Sequence, residues 1–169
     1  MNITVTTRFP RKLIGFPPVV GKSPRIMILG SMPGVESLNK QQYYGHPRNQ
    51  FWTILIALLK CEILDDYEDK KRMLINNHIA LWDVVHSCQR NGSLDSSLKD
   101  VKTNDFKHVF EEHPTLRAVF CNGQTAYKLF KQYNDCADLP IIALPSTSPA
   151  YTLSFDKKLV RWQKILKFI

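Results

Sequence analysis

Residues 25–34 read Arg-Ile-Met-Ile-Leu-Gly-Ser-Met-Pro-Gly, and this stretch decides the class of fold. Its first six residues form a short apolar run that ends in glycine, which is typical of a strand buried on both faces of a parallel sheet. The composition then changes, because residues 31–48 are rich in Gly, Pro, Ser and Asn. Loops of this length inside a compact domain are usually functional. We therefore expect a binding loop directly after a central strand.

Strands and helices alternate along the rest of the chain. Apolar runs predict three more buried strands, over 81–85, 116–121 and 140–145. Helices are predicted over 49–60, 65–76 and 126–131, with one or two more inside 95–112. This alternation indicates an α/β fold with a mostly parallel sheet. Ligands bind at the carboxyl ends of strands in such sheets, so we expect the polar loops 31–48 and 146–152 to build one site.

The chain has 169 residues and a formal net charge of +8, which is unevenly distributed. The first 60 residues hold eight basic residues and one acidic residue, and the last 15 hold five and one. We expect one domain over 1–169, with 1–24 as an irregular basic lead-in and 155–169 as a basic amphipathic helix. Such a surface is typical of a polyanion binder, although charge that keeps an enzyme soluble is an alternative.

Several classes of protein are excluded by the sequence. No segment approaches the roughly 20 apolar residues that a membrane-spanning helix needs. The N-terminus lacks the continuous apolar segment of a secretory signal, which favours a cytoplasmic protein. The four cysteines form no CxxC pair, so the patterns of zinc ribbons and iron–sulfur proteins are missing.

Two loop segments carry residue types suited to binding a planar base. Gly30 and Gly34 allow a ligand close to the main chain, whose polar groups can read the edge of a base. The adjacent Tyr43 and Tyr44 predict one ring that stacks on a base and one that packs on the core. His46 is either a proton donor or polar contact to a ligand, or a residue that makes a structural hydrogen bond.

Asn49 and Asp83 are the two polar side chains whose roles matter most for the function. Asn49 lies in the predicted first turn of the 49–60 helix, where its carbonyl oxygen could hold and aim a water molecule. A polar residue without chemistry at a helix N-terminus is the alternative. Asp83 lies in an apolar strand and needs a partner if buried. It is either an anchor for the site loops or, in a rival scheme, the base that activates water.

Three motifs, in this order, resemble the uracil-DNA glycosylase superfamily. They are GlySerMetProGly at 30–34, TyrTyrGlyHisProArgAsnGlnPheTrp at 43–52 and LeuProSerThrSerProAla at 144–150; the stretches 81–84 and 90–96 are also similar. The closest match is family 6, the DNA-deoxyinosine (hypoxanthine-DNA) glycosylases. In the mismatch-specific uracil glycosylases an Asn in the first loop positions the attacking water, but here Met32 occupies that position. The resemblance to family 6 instead implies Asn49 as the catalytic residue.

The resemblance also implies a fold, an activity and a set of contacts. The fold is a three-layer α/β/α sandwich around a short, mostly parallel sheet. The activity is that of a monofunctional glycosylase of base excision repair, without metal or cofactor, which removes hypoxanthine from double- or single-stranded DNA as a monomer at the nucleoid. Base-binding residues would be Gly30, Ser31, Met32, Pro33, Gly34, Tyr43, Tyr44, Gly45, His46 and Phe51. DNA-binding residues would be Ser146, Thr147, Ser148, Pro149, Ala150 and Tyr151. A uracil-DNA glycosylase and a non-catalytic binder of damaged DNA are the alternatives.

Overall fold

A computed structural model describes residues 11–134 and 138–169. In chain order the strands are β1 (Lys12–Ile14), β2 (Ile26–Gly30), β3 (Ile79–Asp83), β4 (Val85–Gln89), β5 (Lys99–Thr103), β6 (Ala118–Asn122) and β7 (Ile141–Leu144). The α-helices are α1 (Val35–Lys40), α2 (Phe51–Leu59), α3 (Tyr67–Asn76), α4 (Phe106–Glu112), α5 (Gln124–Tyr133) and α6 (Phe155–Trp162). Short 3-10 segments cover Asp95–Ser97 and Gln163–Lys167.

Four parallel strands form the central sheet, in the order β3-β2-β6-β7. Every residue of β2 and β3 is buried, as the continuous apolar runs predict for strands covered on both faces. Helix α3 packs on β3 and helix α5 on β6 and β7, while α2 packs on α6. The predicted α/β fold with a mostly parallel sheet is confirmed.

A second, antiparallel sheet of order β1-β4-β5 was not predicted. One or two helices were predicted inside 95–112, and the structure has the 3-10 segment Asp95–Ser97 and helix α4 there. Between them lies the unpredicted strand β5, whose polar sequence Lys-Asp-Val-Lys-Thr is mostly solvent-exposed and is held by pairing with β4. The irregular lead-in is also corrected, because β1 lies within it and pairs with β4. Residues 1–10 of the lead-in lie outside the described residues.

Three helix predictions need correction. The loop 31–48 contains the short helix α1. Helix α2 begins at Phe51, so Asn49 lies just before its first turn rather than within it. The predicted 155–169 helix is α-helical only to Trp162; beyond it the tighter 3-10 turn leaves Leu166 exposed, although the sequence pattern places it on the buried face.

The strand order places a binding site at a defined point of the sheet. The chain leaves β2 toward β3 on one side, and it leaves β6 toward β7 on the other. The carboxyl ends of β2 and β6 therefore flank a topological switch point, the position where open α/β sheets form a crevice for ligands. In the described residues, no helix has the length and apolar character that crossing a membrane requires.

Candidate active site

A cavity of about 350 Å³ opens at this switch point. Its volume lies in the range of small-molecule sites, roughly 300–1,000 Å³. Strand ends supply Gly30 from β2, Asp83 from β3 and Asn122 from β6. The loops 31–37, 43–49 and 146–150 and the segment 93–95 complete the lining. The structure thus brings together the two loops that the sequence analysis expected to meet.

Asp83 lies at the base of the cavity, beside Gly30. The two residues pair across β2 and β3, and a Cβ atom on Gly30 would overlap the Asp83 carboxylate and come within 3.0 Å of the Tyr44 hydroxyl. Glycine is therefore required at position 30 by close packing. Asp83 is only 4% exposed, and its Oδ2 has no hydrogen-bond partner among the described residues.

The environment of Asp83 changes its titration. Burial and, to a smaller extent, the charge of Asp95 raise the pKa of this carboxyl to about 7, although Arg90 opposes both. Asn104 bonds only the backbone carbonyl of Asp83, at 2.7 Å, so the carboxylate itself is not seen to anchor a loop. An unpartnered buried carboxyl that titrates near neutral pH in a cavity is a candidate functional group.

Asn49 is held in place by a chain of hydrogen bonds. Its Oδ1 accepts from the backbone N–H of Phe51 at 3.0 Å and from the hydroxyl of Thr147 at 2.9 Å. Asn122 donates from Nδ2 to the same hydroxyl, and its Oδ1 accepts from the Thr147 backbone N–H, each at 2.9 Å. The network links the start of α2, the end of β6 and the loop after β7, so three distant segments fix one side chain.

These bonds correct the expected use of the Asn49 carbonyl oxygen. Both lone pairs of Oδ1 already accept hydrogen bonds. The atom that faces the Phe51 N–H must be the oxygen of the side-chain amide, because the amide nitrogen cannot accept a hydrogen bond. Nδ2 is the remaining polar atom of this cavity-lining side chain. Asn49 therefore offers a donor to a ligand instead of the acceptor that the sequence analysis predicted.

The Thr147 hydroxyl can be tested without removing any group that would touch substrate. Thr147→Val keeps the side-chain shape but leaves Asn49 and Asn122 without their shared partner, which for a buried hydrogen bond costs about 1–3 kcal/mol. We expect kcat to fall about tenfold or more, with KM little changed, because the amide of Asn49 is then misoriented. Thr147→Ser keeps the hydroxyl and should recover most of the rate. Equal rates for the valine variant and the wild type would contradict this positioning role.

The adjacent tyrosines have different surroundings. Tyr43 is buried; its hydroxyl donates to the carbonyl of Pro17 at 2.9 Å, and its own carbonyl accepts from the Trp52 indole. Tyr44 lines the cavity and stacks on Phe51 with ring centroids 3.9 Å apart. Burial and the nearby charge of Asp83 both raise the pKa of Tyr44, so its hydroxyl stays neutral. Tyr43 is the ring that packs on the core, and Tyr44 has one ring face backed by Phe51.

Two predicted base-binding residues lie outside the cavity lining. Phe51 is fully buried behind Tyr44, so it supports that ring and cannot touch a ligand itself. Gly45 donates its N–H to Ser37 at 3.0 Å and accepts from the Lys40 ammonium at 2.8 Å, which ties the loop to α1. His46 does line the cavity; its Nδ1 accepts from the Arg48 N–H, which leaves Nε2 as the donor of the neutral ring.

The loop after β7 supplies the opposite wall. Ser146, Ser148, Pro149 and Ala150 line the cavity as expected. Thr147 also lines it but is fully buried, and its hydroxyl is bonded to Asn49 and Asn122. Tyr151 lies outside the lining and is 44% exposed, with the Lys158 ammonium 5.5 Å from its ring.

The segment 93–95, which Arg90 supports from behind the loop after β2, forms a wall that the residue-by-residue reasoning missed. Arg90 donates to the carbonyls of Pro33 and Gly92. The Ser93 hydroxyl accepts from the Val35 N–H at 2.8 Å, and Asp95 accepts from the Ser31 hydroxyl at 2.8 Å. Asn122 was missed as well, although it directly follows the strand predicted over 116–121 and ends the observed β6, so the same strand-end rule would have found it.

Comparisons with known proteins agree with this architecture. A family model described as the uracil DNA glycosylase superfamily matches residues 17–168. A hypoxanthine DNA glycosylase of Methanosarcina acetivorans is 46% identical over 114 residues, 66% of this chain and 72% of the relative. A hypoxanthine DNA glycosylase of Methanosarcina barkeri is 40% identical over 111 residues, 65% of this chain and 70% of the relative.

A solved structure is similar over almost the whole chain. It is the solution NMR structure of a candidate uracil DNA glycosylase from Methanosarcina acetivorans, with a TM-score of 0.82 and 35% identity over 93% of this chain and 98% of that one. The predicted resemblance, the fold class and the predicted enzyme class, a DNA glycosylase, are confirmed by these matches. The chain belongs to the uracil DNA glycosylase superfamily.

Proposed function

We propose that the chain is a monofunctional DNA glycosylase that hydrolyses the N-glycosidic bond of deaminated bases, preferably hypoxanthine. The observation that carries the proposal is the pairing, in one cavity, of the unpartnered Asp83 carboxyl with the hydrogen-bonded Asn49 amide. Two curated relatives named hypoxanthine DNA glycosylase support the choice of base.

Asp83 is suited to reading the group that deamination creates. Adenine has an unprotonated N1 that accepts a hydrogen bond, whereas hypoxanthine has an N1–H that donates one. The ionised Asp83 carboxylate accepts from N1–H and repels the N1 lone pair of adenine. A buried site built for one donor rejects an analogue that lacks it far more strongly than a difference in shape would allow. The discrimination of hypoxanthine from adenine therefore follows from one carboxylate at the end of β3.

Bond cleavage needs stabilisation of the departing base more than a strong nucleophile. The C1′–N bond breaks with oxocarbenium-like character, its electron pair moves onto the base, and the water oxygen bonds to C1′. The water proton then passes to the base or to solvent. Asn49 donates from Nδ2 to one lone pair of the water oxygen. The second lone pair of that oxygen is then free to attack C1′. The 30–34 loop lines the cavity, and backbone N–H groups of its non-proline residues would stabilise the developing negative charge of the base.

The cavity favours hydrolysis without a covalent intermediate. Among the described residues that line it there is no lysine, the side chain that would form a Schiff base with the sugar. Lys158 approaches the Ser148 carbonyl at 3.5 Å but does not line the cavity. The product is then an intact abasic site.

The unpartnered Asp83 carboxyl also supports uracil as a second candidate substrate. Its N3–H is the donor that deamination of cytosine creates, so the Asp83 carboxylate recognises it by the same contact. The target base must leave the duplex to reach the cavity, and weakly paired bases leave at lower cost.

We place the enzyme as a monomer on DNA at the nucleoid of the cytoplasm, where the basic residues of both ends of the chain would meet phosphates.

The proposal is tested with duplexes that carry one hypoxanthine, uracil or adenine. We expect abasic sites from hypoxanthine and more slowly from uracil, and none from adenine, detected as alkali-labile strand breaks. Borohydride should trap no protein–DNA adduct. Binding of the hypoxanthine duplex without strand breaks would identify a non-catalytic binder of damaged DNA and contradict the proposal. A trapped adduct would contradict the monofunctional mechanism alone.

A further inference from the structure

A lysine side chain is buried beneath the loop that follows β7. Lys158, in the first half of α6, is only 1% exposed. Lysine is almost never buried to this degree unless its charge is paired. No carboxylate among the described residues forms an ion pair with Lys158, and burial lowers the pKa of its ammonium. A buried charge without a partner is costly, so this position calls for an anion from outside the described chain.

The contacts of the ammonium leave most of its donors unused. An ammonium carries three N–H donors. The Ser148 carbonyl lies 3.5 Å from Nζ, and it also accepts from the Tyr151 N–H at 3.0 Å. The Tyr151 ring, with its centre 5.5 Å from Nζ, covers the ammonium but offers no oxygen acceptor. Two donors therefore remain for a ligand that brings oxygen atoms.

The loop above Lys158 has few backbone donors of its own to offer DNA. Pro149 has no N–H, and the N–H groups of four other loop residues already bond to protein atoms, at positions 147, 148, 150 and 151. The loop nevertheless lines the cavity through Ser148, where the backbone of an extruded nucleotide would pass. A phosphate at this wall therefore depends on side chains for its hydrogen-bond donors.

From this geometry we propose that Lys158 binds the DNA phosphate beside the extruded nucleotide, after the Tyr151 ring has turned aside. The inference rests on the proposed function, because extrusion of the nucleotide brings that phosphate to the cavity mouth. Tyr151 is 44% exposed and outside the cavity lining, and exposed side chains change rotamer within nanoseconds. The ring shields the ammonium in the free protein, and the phosphate supplies the opposite charge in the complex.

Replacement of Lys158 by methionine should have opposite effects on stability and on DNA binding. Methionine keeps a long aliphatic chain and removes the charge, so the free protein should unfold at the same temperature or a higher one. Affinity for a duplex with one hypoxanthine nucleotide should fall about tenfold, and the slope of log Kd against log salt concentration should decrease by about one. Fluorescence anisotropy measures both between about 50 and 200 mM KCl, with a 2′-fluoro nucleotide that resists hydrolysis.

Kinetics separate this role from one in bond cleavage. In single-turnover excision, the half-saturating enzyme concentration of Lys158→Met should rise about tenfold, whereas the rate at saturation should fall by less than about twofold. The phosphate contact adds binding free energy without touching the reacting atoms. Lys158→Arg keeps the charge and should recover most of the affinity. Binding of an undamaged duplex, which leaves the cavity empty, should weaken by less than about twofold in Lys158→Met.

Lys107→Met is the matched control, because it removes an exposed lysine of α4 outside the cavity lining and should change the affinity by less than about twofold. Three results would each overturn the inference: an unchanged affinity in Lys158→Met, a loss with a lower unfolding temperature and an unchanged salt slope, or an equal loss in Lys107→Met or on undamaged DNA. If the wild type binds the hypoxanthine duplex through Lys158 but excises no base, the proposed function fails and the phosphate contact stands.

Discussion

Replacement of Asn49 by aspartate is expected to lower hypoxanthine excision about 100-fold or more while leaving the protein folded. Aspartate keeps both acceptor bonds, to the Phe51 N–H and the Thr147 hydroxyl, but replaces the N–H donor of this cavity-lining side chain by a charged carboxylate oxygen that can only accept. Removal of one preorganised donor at a reacting centre typically costs about 10²–10³ in kcat. The measurement is single-turnover excision on a hypoxanthine duplex, with thermal unfolding in parallel.

Asn49→Ala serves as the companion variant. It removes the donor and also the hydrogen bond that caps the start of α2, so it should match the aspartate variant in activity and lose about 1 kcal/mol in stability. An Asn49→Asp enzyme that keeps most of its activity would show that residue 49 contacts the water through an acceptor, as the sequence alone suggested. The donor mechanism would then be wrong.

A titration of Asp83 is expected to control activity near neutral pH. Burial, and after it the charge of Asp95, raise the pKa of this carboxyl to about 7. The ionised form accepts from the hypoxanthine N1–H through the stronger, charge-assisted hydrogen bond, whereas the protonated form can also donate to adenine N1. In the wild type, kcat/KM should therefore fall about tenfold for each pH unit below 7. In Asp83→Asn that limb should vanish, because an amide oxygen accepts at every pH. The selectivity for hypoxanthine over adenine should also drop at least about tenfold, since the amide can donate to adenine N1.

The same pKa makes a prediction about stability. In the unfolded chain Asp83 ionises near pH 4, whereas in the folded protein it holds its proton up to about pH 7. The folded state binds more protons between these values, so this group makes the protein progressively less stable as pH rises through that window. Asp83→Asn should remove the loss and raise the free energy of unfolding at pH 8, by up to about 4 kcal/mol.

Glu36→Gln is the matched control, because it neutralises an exposed carboxylate in the same cavity lining and should leave both profiles unchanged. If Asp83→Asn instead loses more than about 100-fold on hypoxanthine at every pH, Asp83 is the base that activates water. An unchanged pH profile and unchanged selectivity would remove Asp83 from the chemistry altogether.

The parallel sheet could be predicted from the sequence because its buried strands leave a clear pattern of apolar residues. Strands covered on both faces need unbroken apolar runs, and β2, β6 and β7 lie within two residues of their predictions. Strand β5 lacks that signal, since it is polar, mostly exposed and stabilised by pairing with β4. Helix α1 was not predicted because its six residues are too few to show a helical periodicity within a polar loop.

The candidate site was predictable as a set of segments, but not as a set of contacts. Strand-end logic brings the 30–34 and 146–150 loops to one cavity, as the structure shows. Whether a residue in such a loop faces the ligand depends on side-chain direction, which the sequence does not encode locally. Phe51 therefore turned out to support Tyr44, and Thr147 to hold Asn49.

The placement of Gly30, Asp83 and Asn122 at the ends of three neighbouring strands has a practical consequence for redesign. Each of these positions ends a strand whose remaining residues form the core, so substitutions at Asp83 and Asn122, with Gly30 kept as glycine, would alter ligand preference while the hydrophobic interior stays constant. A small combinatorial library at these two positions, selected on other modified nucleobases, is a direct route to excision reagents of new specificity.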